Sequence, residues 1–78
     1  MHLGEFIELI NDPCLVITVV AEDGSGLDGV TPGDTLYSGE ISDFTNCLVD
    51  EKNDVYLDEM YVDTIDVDEY GAFTINVC

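Results

Sequence analysis

Seventy-eight residues set an upper limit of one domain, and a chain this short buries only about 60% of the surface its unfolded form exposes. Hydrophobic residues make up 46% of it, and its repeated Val, Ile and Leu exclude an acidic disordered tail. Eighteen acids face one cation, Lys52, for a formal net charge of −17, which argues against direct binding of nucleic acid or an anionic membrane.

From the N-terminus, Leu3, Phe6, Ile7 and Ile10 fall at i, i+3, i+4 and i+7, one face of a short helix, with Glu5 and Glu8 off that stripe. Asn11-Asp12-Pro13 ends it, because the residue before proline avoids the α region. Glu5 and Glu8 interrupt the apolar residues of this segment, and no basic region precedes them, so it does not read as a signal peptide. No run approaches transmembrane length. His2 is expected at a frayed end.

Residues 14–21, CLVITVVA, are nearly all apolar and β-branched. They predict a central strand covered on both faces, or on one face and part of the other. Residues 22–34 carry four Gly and one Pro and predict a long loop, with a brief turn around Leu27 and Val30. Residues 35–41 predict a second strand, with Gly39 marking a bulge or a close approach. Ser42 and Asp43 suit the cap of a helical turn through Phe44, Cys47 and Leu48, and residues 50–54 read as polar punctuation. Residues 55–67 are ambiguous at first and strand-like later, with Met60 and Val62 on one side and Tyr61, Ile65 and Val67 on the other. Asp68-Glu69-Tyr70-Gly71 is a turn, and Phe73, Ile75 and Val77 then alternate with Thr74 and Asn76. The expectation is a single acidic α+β domain over residues 1–78: a short N-terminal helix packed on an antiparallel sheet of about four strands, ending in a C-terminal hairpin.

Several chemistries lack their residues. Cys14, Cys47 and Cys78 stand at unrelated spacings with one histidine, which gives zinc no ligand set. Cys14 and Cys47 are expected as small buried hydrophobes and Cys78 as exposed, in a reducing cytoplasm. Asp66-x-Asp68-x-Tyr70-Gly71 imitates the opening of an EF-hand loop. Tyr70 then takes the fifth position and Val77 the twelfth, where the bidentate glutamate belongs. Asp23-Gly24-Ser25-Gly26 has no following lysine and no phosphate-loop spacing. A carboxylate pair for acid–base catalysis needs a substrate cleft that a chain this small rarely encloses. The expectation is therefore no enzyme, no catalytic residue, no cofactor and no metal.

The charge exceeds what solubility requires, a magnitude of about 2 to 8 for a small domain. A negative field steers a protein onto basic clefts. Eleven of the eighteen acids lie in residues 40–69. Same-face carboxylates on a strand are about 6.6 Å apart, comparable to the phosphate spacing of nucleic acid. The candidate partner-binding residues are Asp54, Asp58, Glu59, Asp63, Asp66, Asp68 and Glu69, with Tyr61 and Tyr70 as aromatic anchors.

In size, charge and layout the chain resembles short acidic open reading frames of bacteriophages and mobile elements: the opening helix, the apolar strand, the LYSGEISD segment and the closing VDTIDVDEYGAFTINV hairpin. It is similar in character to anti-CRISPR proteins and other DNA-mimic inhibitors, which share no motif, so no functional residue carries over. The resemblance implies a phage anti-defence inhibitor in the bacterial host cytoplasm. Its partner would be a basic protein surface on a host nucleic-acid-binding effector such as a CRISPR nuclease or complex. The inhibitor itself would be a monomer or small homo-oligomer. The alternative is a small phage structural or adaptor protein acting as an assembly module.

Overall fold

The computed structural model describes residues 1–22 and 29–78. In chain order these form helix α1 (Leu3–Glu8) and strands β1 (Val16–Ala21), β2 (Thr35–Glu40), β3 (Leu48–Asp50), β4 (Val55–Tyr56), β5 (Val62–Val67) and β6 (Phe73–Val77). Two single 3-10 turns, Ile41–Asp43 and Leu57–Glu59, follow β2 and β4. Leu27, of the turn expected around Leu27 and Val30, and the Asp23-Gly24-Ser25-Gly26 segment lie outside the described residues.

The architecture is α+β, with one short helix, a four-stranded sheet of order β2-β1-β6-β5 and a separate β3–β4 hairpin. The expected C-terminal hairpin is present, since β5 and β6 pair antiparallel. The sheet as a whole is mixed. β1 pairs antiparallel with β2 but parallel with β6, in register from Ile17 opposite Phe73 to Ala21 opposite Val77. More than fifty residues separate the two strands in the chain, so no tight turn dictates their relative direction.

Alternation along β1 and β6 creates the core. Ile17, Val19, Ala21, Ile75 and Val77 lie fully buried on one face, beneath Leu3, Leu57 and Met60. The α1 stripe supplies Leu3 with Phe6 and Ile7 packed beside it, while Glu5 and Glu8 stay exposed. The opposite sheet face carries Thr18, Val20, Thr74 and Asn76, all half-buried. Of the two expectations for residues 14–21, the structure therefore realises the second, one face fully covered and the other in part.

Several local expectations are corrected. The first strand starts at Val16; Cys14 precedes it in a turn held by its own N–H donating to Asp12 Oδ1 at 3.0 Å. Cys14 and Cys47 are consequently exposed, not buried. The helical turn expected through Phe44, Cys47 and Leu48 closes at Asp43, and Leu48 opens β3. Residues 51–54 form the β3–β4 turn, and Asp50, the last residue of β3, is buried, with 1% exposure. Its carboxylate accepts the Asn53 backbone N–H at 3.1 Å and Asn53 Nδ2 at 2.8 Å, so the turn is pinned from inside.

Gly39 is a close approach. A Cβ there would meet the Tyr37 hydroxyl at 3.0 Å, and φ is +153°. That hydroxyl donates to the Glu40 carbonyl at 2.6 Å, which holds the ring across the glycine. The β1–β2 irregularity lies elsewhere, beyond the Thr18–Ser38 and Val19–Tyr37 pairs, between Val19 and Val20.

The N-terminus is docked, not frayed. Leu3 N donates to Met60 O at 2.8 Å and Val62 N donates to Met1 O at 2.9 Å, with His2 bridged antiparallel to Tyr61. The first three residues thus act as a short extra strand along the start of β5.

Candidate functional site: an acidic surface

Of the sixteen described acids, thirteen are exposed, Asp34 and Asp58 are half-buried and Asp50 is buried. The fold therefore delivers its charge to the surface, and one lysine cannot neutralise it.

The acids dense in residues 40–69 are contiguous in sequence but divide in space. Glu40 ends β2 and Asp43 lies in the turn behind it, at one edge of the sheet. Asp54 closes the β3–β4 turn in the left-handed region with φ 56°. Asp58 and Glu59 come from the turn at Leu57–Glu59, and with His2, Gly4, Glu5 and Glu8 they line a hollow beside α1. Asp63 and Asp66 lie on β5, the opposite edge from β2. Asp68, Glu69 and Tyr70 form the turn between β5 and β6, where Tyr70 is 87% exposed.

Local chemistry separates these residues further. Asp63 sits where the β5–β6 register shifts, between Val62 and Thr64. Asp66 lies opposite Thr74, and its Oδ2 accepts Asn76 Nδ2 at 3.3 Å; the same amide donates to Thr64 Oγ1 at 3.0 Å. Asp68 falls outside the strand. Its Oδ1 accepts the N–H groups of Tyr70 at 2.8 Å and Ala72 at 2.9 Å, so this carboxylate organises the turn. The even spacing of Asp66 and Asp68 along one strand face is thus replaced by one strand carboxylate and one turn carboxylate. Tyr61 is half-covered by the His2 ring, whose centroid lies 4.4 Å away at 32°.

Sequence reasoning passed over Glu5 and His2 in this surface. Glu5 Oε1 accepts the His2 backbone N–H at 3.3 Å and lies 3.0 Å from His2 Nδ1. The backbone hydrogen bond first, and the side-chain contact second, hold the Glu5 carboxyl below its ordinary range. The Thr31 backbone N–H, donating to Asp34 Oδ2 at 2.9 Å, does the same for Asp34. The Glu three positions after the helix-opening residue was the only available signal for the first pair, since histidine stands where a capping box has Ser or Thr.

Among the described residues, no three or more His, Cys, Asp or Glu side chains converge as a metal ion would require. Nor, among them, is any helix long and apolar enough to cross a membrane. Comparisons with protein-family models, with curated proteins and with solved structures return no match.

Proposed function

We propose that this protein is a phage-type anti-defence inhibitor, of the anti-CRISPR kind, that occupies a basic nucleic-acid-binding surface of a host effector by acidic mimicry. One observation carries the reading: a net charge of −17 on a folded core, with thirteen of the sixteen described acids held exposed. A charge far beyond what solubility needs destabilises a small fold through self-repulsion. The cost is offset where a basic cleft receives the protein, because complementary potentials speed encounter and exclude wrong partners. The acids sit on both sheet edges and around the α1 hollow, which suits a channel that encloses its ligand better than a flat docking face. The effector supplies the cations that the inhibitor lacks. No catalytic role is assigned, and the working location is the bacterial cytoplasm where such effectors act.

The test is affinity purification from a defence-bearing bacterial host at low and high salt, followed by a target-DNA binding assay on whatever is retained. The expected result is a nucleic-acid-binding effector, released by salt, whose DNA binding is blocked by the protein. Retention of a virion component, with DNA binding by the defence effector untouched, would instead support the assembly-module alternative.

A further inference from the structure

We propose that the uncovered length of β5, residues 63–67, receives an extended basic segment of the partner as an added strand, with Lys or Arg alternating with apolar residues. The proposal rests on the inhibitor reading for the partner's positive charge and adds the mode of engagement.

Four observations converge. First, β5 is an edge strand, and the protein already uses the start of that edge for strand addition. Residues 1–3 pair along it through Val62 N to Met1 O and Leu3 N to Met60 O. They then turn away into α1, and among the described residues no strand continues along residues 63–67.

Second, the phase of the ladder leaves donors and acceptors outward. Asp68 N donates to Ala72 O, and the register runs Val67 to Phe73, Asp66 to Thr74 and Ile65 to Ile75. Antiparallel pairs alternate between bonded and non-bonded positions. Asp66 therefore bonds inward to β6, while Ile65 and Val67 present N–H and C=O to the open edge.

Third, this part of the core face is unfinished. Ile65 and Val67 share the face of Ile75 and Phe73, yet are 40% and 59% exposed. An added strand would extend that face with apolar side chains opposite both.

Fourth, the other face fixes the partner's charge. Thr64 and Asp66 line it, with Asp63 at the bulge. A second copy of β5 would lay acid beside acid, which is unfavourable across strands, whereas Lys or Arg would be paired. Acids along an edge also deter indiscriminate pairing, so the same residues exclude self-association and select a cationic strand.

The probe is a capped peptide of about eight residues alternating Lys and Val, compared with a peptide of identical composition in which the lysines precede the valines. Binding is followed by NMR at about 20 mM and about 200 mM salt, together with amide exchange at Ile65 and Val67. The alternating peptide is expected to bind at least about tenfold more tightly and to slow exchange at both amides. Ile65→Pro removes an outward donor and should erase that preference while leaving affinity for the blocked peptide intact. Because this substitution can disturb β5, an alternating peptide N-methylated at every second residue supplies the same test on the native protein, and it too should lose the preference. Equal, salt-sensitive binding of the alternating and blocked peptides overturns strand addition and leaves the acidic-surface reading in place. No binding by either peptide at low salt overturns both.

Discussion

At the level of single residues, carboxylates in this protein divide into those that build the fold and those that only charge it. Glu5 belongs to the first group. Its carboxyl is held below the ordinary range by the His2 N–H, so its contribution is complete above the unfolded-state value and is lost as pH falls through the lower folded value. Glu5→Gln is therefore expected to lower Tm at pH 7 relative to Glu51→Gln, which removes the same charge from the exposed β3–β4 turn. The two variants should begin to converge as pH falls below the unfolded-state value of about 4.3 and coincide only below the lower folded value, and a thermal melt series across pH checks this. Asp50 builds the fold more directly. Asp50→Ala removes the acceptor for both Asn53 donors and should cost about 1–3 kcal/mol in chemical denaturation. Gly39→Ala should cost more than about 1 kcal/mol, since a Cβ meets the Tyr37 hydroxyl at a positive φ.

At the level of elements, what the chain revealed depended on how local the determining contacts were. The α1 stripe and the Phe73, Ile75, Val77 alternation announced themselves, because helix and strand periods are written in neighbouring residues. The parallel pairing of β1 with β6 was not legible, since it joins segments more than fifty residues apart and no turn encodes it. The β3–β4 hairpin was legible but passed over: Asp50, Asn53 and Asp54 are turn formers between the apolar pairs Leu48-Val49 and Val55-Tyr56. Burial of Asp50 was hidden, because an acid in a polar run reads as solvated until its partners are known.

The candidate site was legible as composition and not as geometry. The acids were plain in the sequence, but the bulge at Asp63 and the turn at Asp68 decide which way the carboxylates are used. Asp68→Ala should loosen the β5–β6 turn by about 1 kcal/mol, because the N–H groups of Tyr70 and Ala72 lose their acceptor. Asp68→Asn keeps that oxygen and should leave Tm nearly unchanged. Binding tests on this turn therefore belong with asparagine and not alanine.

At the level of the whole molecule, charge and fold oppose each other. The chain is a slightly elongated body of 34 × 21 × 19 Å, and its −17 charges lie largely within one Debye length of one another at low salt, about 30 Å at 0.01 M. Raising salt from about 0.01 to about 0.5 M should increase stability by about 1–2 kcal/mol, or about 5–15 °C in Tm. Partner binding should respond in the opposite sense, because the attraction that drives it is screened by the same ions.

That opposition supplies the most direct test of the central claim, that an exposed acidic surface engages a basic nucleic-acid-binding effector. The measurement is the affinity of the protein for the purified effector across a salt series, for the native chain and for the combined Asp63→Asn, Asp66→Asn and Asp68→Asn variant, which preserves the Asp68 turn acceptor. The predicted result is a Kd that weakens by about a hundredfold or more between 50 and 200 mM salt, on the order of what several charge contacts produce, with a shallower slope for the variant and matching loss of inhibition. A Kd indifferent to both salt and the three substitutions would contradict the claim.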